Sequence, residues 1–167
     1  MNTEHTGAGK THTMLGNTRA DEAASNAEAG IIPNSVKDLL DQLILKQQSQ
    51  IYGESWSLSV NFMEVYNEQV YDLLEPTGKI LSVREDQEKG IVVAAGITEK
   101  NVSTYNEVID MLQQGNKNRK TEATMANEVS SRSHAVLQLT VKHIRRLSNG
   151  KESLVESKLS LIDLAGN

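Results

Sequence analysis

Gly7-Ala8-Gly9-Lys10-Thr11 is the stretch that sets the fold class of this chain. Two glycines one residue apart let the backbone turn tightly, and a turn that opens a helix aims several N–H groups at an anion. In a phosphate-binding loop of this kind a lysine pairs with β- and γ-phosphate oxygens, and the next hydroxyl helps to hold Mg²⁺. Lys10 and Thr11 occupy those two positions. The complete pattern places a glycine where this sequence has Glu4, so the match covers its core and not its first position. A plain glycine-rich turn into a helix would account for these five residues taken alone.

Two further segments change that balance. Leu159-Ser160-Leu161-Ile162 reads as a buried strand with Asp163 at its end and Gly166 just beyond. An aspartate there can contact Mg²⁺ directly or through water, and a glycine N–H can face a γ-phosphate. In isolation the pair is an ordinary turn signal. Asn127-Glu128-Val129-Ser130-Ser131-Arg132-Ser133-His134 gathers three hydroxyls, a guanidinium and an imidazole just before another strand. Serine hydroxyls can ligate Mg²⁺ or orient water, and Arg132 can pair with a carboxylate or phosphate. By itself this cluster reads as a solvated serine-rich turn or a phosphorylation site.

Composition bounds what such a site can belong to. At 167 residues and 38% hydrophobic content, one domain with a core is the first estimate. Seventeen Lys and Arg against 22 Asp and Glu give a net charge of -5, which supplies no global positive field for nucleic acid or an anionic membrane. Aromatic residues at 4% leave few platforms for stacking single-stranded bases. The sequence carries no long apolar run, and Met1-Asn2-Thr3-Glu4-His5 lacks the regions of a signal peptide. The absence of cysteine excludes disulfides, thiolate metal sites and a cysteine nucleophile. These features predict a soluble cytosolic or nuclear globular domain, or part of one.

Local patterning predicts alternating helices and strands, hence an α/β architecture. Residues 16–30 shift to Ala- and Asn-rich composition and read as an exposed insertion. Asn34 or Ser35 can cap a helix over about 35–48, whose Val36, Leu39, Leu40, Leu43 and Ile44 follow helical spacing. Ser57 to Tyr66 alternates like a half-buried strand, with Trp56 and Phe62 as packing residues, and Val70 to Leu74 follows as a short segment. Residues 80–83 and 91–93 read as two short β segments of a surface hairpin or lobe joined by a charged turn. Ser103 or Thr104 precedes a second amphipathic helix expected to stop at Gly115-Asn116, with a polar loop from Lys117 to Glu128. Lys117, Arg119 and Lys120 then face phosphate or a partner, or serve loop solubility, which explains them as well. Ala135 to Val141 and Leu154 to Leu164 flank Ser148-Asn149-Gly150 as two long strands joined by a turn. His143-Ile144-Arg145-Arg146 reads as a solvated strand end.

In order and spacing, the three phosphate-site segments resemble the kinesin motor family: Thr6 through Met14 as the phosphate loop, Asn127 through His134 as switch I, and Asp163-Leu164-Ala165-Gly166 as switch II. Gly30-Ile31-Ile32-Pro33, Glu64-Val65-Tyr66-Asn67-Glu68 with Asp72-Leu73-Leu74, and Gly115 through Arg119 extend the resemblance over the whole chain. Val83-Arg84-Glu85-Asp86 with Lys89-Gly90-Ile91-Val92-Val93 is most similar to the kinesin-8 class.

The resemblance implies a P-loop NTPase of kinesin-motor type, three layers around a mainly mixed β-sheet, binding ATP and Mg²⁺. It implies that Thr6, Gly7, Ala8, Gly9, Lys10, Thr11, His12 and Asn127 bind nucleotide, that Ser130, Ser131, Arg132, Asp163 and Gly166 act in catalysis, and that Thr11, Ser131 and Asp163 meet Mg²⁺ directly or through water. The implied partner is the microtubule, with no nucleic acid and no membrane, in the cytoplasm and on the cytoskeleton. A full-length relative would form a homodimer through regions outside this chain.

The residues before Glu4 are too few and too polar for the strand that normally leads into a phosphate loop. The glutamate that follows switch II in the family, partner of the arginine at Arg132, has no counterpart before Asn167. Residues 1–167 are therefore expected to be the central part of a larger motor domain, incomplete at both ends and inactive alone. Two other readings stay open: another P-loop NTPase, for which Asn116-Lys117-Asn118-Arg119 lacks the aspartate of a guanine-reading motif, and a nonenzymatic binding remnant.

Overall fold

A computed structural model describes residues 10–16, 29–49, 52–87, 90–121 and 133–165. Its backbone follows the alternation of the sequence. The strands are β1 (Glu54–Tyr66), β2 (Gln69–Asp72), β3 (Ile80–Asp86), β4 (Ile91–Ala95), β5 (Lys100–Val102), β6 (Ser133–Arg146) and β7 (Glu152–Asp163). The helices are α1 (Lys10–Leu15), α2 (Ile31–Gln48) and α3 (Tyr105–Thr121).

One sheet runs in the order β4-β3-β2-β1-β6-β7, with β5 paired to β1. The centre is β1, matched to β6 along its whole length from Glu54↔Arg145 to Tyr66↔Ser133. Its other edge is shared by β2 near Tyr66 and β5 near Leu58. The β1–β2 hairpin turns at Asn67 and Glu68, whose φ of 48° and 63° are the left-handed pair that a two-residue turn requires. The expected lobe is the β3–β4 hairpin, and the two expected long strands are β6 and β7.

Because side chains alternate along a strand, Leu58, Val60 and Phe62 of β1 and Ala135, Leu137 and Leu139 of β6 share one face. They form a single buried cluster with Ile32, Val36, Leu40 and Leu43 of α2 and Val108 and Leu112 of α3. The same alternation continues past the apolar residues to Glu64, which aligns with Ala135 and, across β6, with Asp163. Two acidic residues are thereby carried onto the core side at one end of the sheet.

Several expectations need correction. The first long helix starts at Ile31, not near Ser35, with Gly30 as a cap lacking a side-chain hydrogen bond. Ile32 and Pro33 are buried in its first turn, where a proline loses no intrahelical bond. The second helix does not stop at Gly115-Asn116 but runs to Thr121, so Lys117 and Arg119 are helical, not in a loop. Gly115 lies in its interior because a Cβ there would stand 2.6 Å from Phe62 Cε1 and nearer still to Cδ1. At the start of α3, Glu107 accepts the Ser103 and Thr104 N–H groups while Thr104 Oγ1 accepts the Glu107 N–H, a reciprocal cap. Those backbone bonds hold the Glu107 carboxyl below the usual range.

Leu159 to Ile162 is a strand but not a buried one: Leu159 is 40% and Ile162 46% exposed. The reason is that β7 pairs only with β6 among the described residues. All pairings among the described residues are antiparallel. α2 and α3 pack on β1 and against each other, and α1 packs on α2 and β7, so these helices form one layer. The insertion's ends, Gly16 and Ala29, form an antiparallel bridge, while 17–28 lie outside the described residues.

Candidate functional site

The sheet end that carries Glu64 and Asp163 is where α1, α3 and β7 meet. Thr11 Oγ1, near the start of α1, donates to Asp163 Oδ2 at 3.0 Å. Lys10 Nζ donates to the Ala165 carbonyl at 2.8 Å. Residues more than 150 positions apart in the chain are thus joined by two direct hydrogen bonds. The Ala165 N–H donates to His134 Nδ1 at 3.0 Å, which ties the residues after β7 to the start of β6.

Behind this pair, Arg119 reaches in from the last turns of α3. Its Nη1 donates to Asp163 Oδ2 at 3.1 Å, its Nη2 to the Ser133 carbonyl at 2.8 Å and its Nε to Ser133 Oγ at 3.2 Å. Arg119 Nε also lies 3.6 Å from Glu64 Oε1, and Ser133 Oγ donates to the same oxygen. Glu64 and Asp163 side chains are each 4% exposed. Carboxylates so buried need a paired charge, and the planar guanidinium meets both at once.

One atom of this cluster remains unsatisfied among the described residues. Asp163 Oδ1 is buried and accepts no hydrogen bond from the described residues. An unpaired buried carboxylate oxygen is costly, and the oxygen fits a role in receiving a cation or a cation-bound water. No group of three or more His, Cys, Asp or Glu among the described residues forms a metal cage.

Of the residues picked out in the sequence, Lys10, Thr11 and Asp163 come together. His12 is exposed, and its carbonyl accepts the Gly16 N–H. Thr6, Gly7, Ala8, Gly9, Asn127, Ser130, Ser131, Arg132 and Gly166 lie outside the described residues. Sequence reasoning missed Glu64, left Arg119 in a loop between facing phosphate and serving solubility, and gave Ser133 and His134 no role of their own. A signal existed for both charged residues: Glu64 continues the inward alternation of Leu58, Val60 and Phe62, and Arg119 follows Val108, Leu112 and Gly115 at helical spacing.

Comparison with known proteins points the same way. The family model of the kinesin motor domain matches residues 4–167. The chain is 44% identical to kinesin-like protein KIN-8A of Oryza sativa subsp. japonica, covering 97% of this chain and 19% of that protein. It is 40% identical to kinesin-like protein KIF18B of Homo sapiens, over 97% of this chain and 17% of the relative. Kinesin-like protein KIN-5D of Arabidopsis thaliana is 38% identical over 97% of this chain and 16% of its own length. Kinesin-8 proteins are thus among its relatives, as the resemblance implied. A solved structure of a fast kinesin superposes with a TM-score of 0.78 at 32% identity, over 96% of this chain and 42% of that one. The chain therefore spans less than a fifth of these curated relatives.

Proposed function

The chain belongs to the kinesin motor domain family, and on that premise we propose that residues 1–167 are the central, nucleotide-binding part of a microtubule-based motor that binds ATP with Mg²⁺. The observation that carries this reading is the convergence of Lys10 and Thr11 on the Asp163–Ala165 segment. A lysine and a hydroxyl that open a helix, set against an aspartate at a strand end, form the donor and acceptor set that a nucleoside triphosphate with its metal uses.

Each residue then has a physical task. Lys10 exchanges the Ala165 carbonyl for phosphate oxygens, a stronger partner because both groups are ionised. Thr11 Oγ1 and Asp163, with Ser131, hold Mg²⁺ directly or through water. When bound, that ion neutralises charge on the phosphates. Thr6, Gly7, Ala8, Gly9 and His12 complete the phosphate loop, and Asn127 contacts the nucleotide. Ser130, Ser131 and Arg132 close over the γ-phosphate and position water, and Gly166 offers its N–H there. The reaction is phosphoryl transfer to water, driven by in-line positioning and charge stabilisation. Closure of these segments is coupled to a microtubule-binding surface. The full protein works on the cytoskeleton in the cytoplasm, as a homodimer through regions outside this chain.

The direct test measures binding of a fluorescent ATP analogue, in Mg²⁺, to this chain joined to the remaining segments of a kinesin motor domain. Lys10→Ala should weaken binding by about tenfold to a hundredfold, the worth of hydrogen bonds to a charged group. Equal affinity in the two proteins would reject the assignment of Lys10.

A further inference from the structure

The turn between β6 and β7 holds a feature that nucleotide chemistry does not use. Arg145-Arg146-Leu147-Ser148 ends β6, and of all the arginines in the chain only Arg145 lies three residues before a serine or threonine. Residues 145–150 are all exposed. The Arg145 side chain is 64% exposed, with Nε 3.5 Å from Glu54 Oε1. Ser148 is exposed and makes no side-chain hydrogen bond to the described residues.

We propose that Ser148 is a phosphorylation site for a protein kinase that reads two arginines upstream of the acceptor serine. Such a kinase receives the guanidinium groups on its own carboxylates, as paired charge-assisted hydrogen bonds. The geometry supports access. The turn is closed by Leu147 N–H to the Lys151 carbonyl at 2.8 Å and Gly150 N–H to the Leu147 carbonyl at 2.9 Å, with no core residue in it. For the segment to extend into a kinase cleft, the last rungs to β7, Arg145↔Ser153 and Arg146↔Glu152, have to part, together with the end of the β1 side, where Arg145 pairs with Glu54 and the Arg146 N–H donates to the Gly53 carbonyl at 2.7 Å. Terminal exposed rungs are the first to open in any sheet.

In the reaction Ser148 Oγ forms a bond to the γ-phosphorus of ATP as the bond bridging the β- and γ-phosphates breaks. ADP leaves with that electron pair, and the hydroxyl proton passes to a carboxylate of the kinase. The product places a charge of about −2 beside Arg145, Arg146 and Lys151, cations that can pair with it. Modification would thus set a new anion at the end of the sheet opposite the nucleotide site.

The test takes this chain, folded and joined to the remaining segments of a kinesin motor domain, incubates it with the catalytic subunit of cyclic-AMP-dependent protein kinase and Mg-ATP, and locates phosphate by tandem mass spectrometry. Phosphate is expected on Ser148, absent in Ser148→Ala. Replacing Arg145 and Arg146 together by alanine should slow labelling of Ser148 by about tenfold or more. The proposal is overturned by phosphate on other residues with Ser148 left free. Labelling indifferent to the two arginines would also overturn it, as would labelling only after the chain is unfolded in urea.

Discussion

Arg119 shows how much one side chain can organise. It bridges the carboxylates of Glu64 and Asp163 and donates to both oxygens of Ser133, so α3, β1, β6 and β7 meet at a single guanidinium. Removing it leaves two buried carboxylates facing each other without a cation. Arg119→Ala should therefore cost about 3–5 kcal/mol, read as a lower urea midpoint. A midpoint that does not move would sink the idea that the pair is buried and compensated. Arg119→Lys should recover only part of the loss, because an ammonium cannot reproduce the planar fork. At this scale the sequence disclosed Lys10, Thr11 and Asp163, since each stands in a short motif with its own chemistry. The partners of Arg119 stayed hidden because they come from distant strands, and a charged residue in a polar stretch is usually solvated.

Among the elements, α3 departs furthest from its reading. Gly115 suggested a stop, yet the helix continues because that glycine is where its backbone crosses the Phe62 ring. The apolar face of α3 is bracketed by Val108 and Leu112 on one side of this crossing and by Arg119 on the other. Gly115→Ala would gain about 1 kcal/mol in helix propensity but overpack the contact by about 1–3 kcal/mol. Thermal melting should show a net loss of stability, and a raised Tm would contradict the close crossing. The β1–β2 hairpin escaped notice for a related reason. Asn67-Glu68 lacks the glycine that usually marks a tight turn, and Glu68 adopts its φ of 63° only because the strands on either side pair. By contrast, β6, β7 and the β3–β4 hairpin were legible, since period-two alternation and turn residues act locally.

For the whole molecule, the sheet ends at β7 among the described residues, and Leu154, Val155, Leu159, Ile162 and Leu164 of that segment are exposed. A solved kinesin of which this chain covers 42% supplies much more chain around the same fold. ATP turnover by the 167-residue chain alone should accordingly stay at background with or without microtubules. The same chain joined to the rest of a kinesin motor domain should release phosphate faster when microtubules are added. Robust stimulated turnover by the chain alone would show that the described sheet suffices. The sequence by itself determined the family, the short motif that singles out Lys10 and Thr11, and the strand alternation, because each depends on residues close together in the chain. Only the tertiary structure decided that Glu64, Arg119, Ser133 and Asp163 form one buried cluster, and that β7 pairs only with β6 among the described residues. Register across β1, β6 and β7 and the crossing of α3 over Phe62 set those contacts, and neither is written in any local stretch.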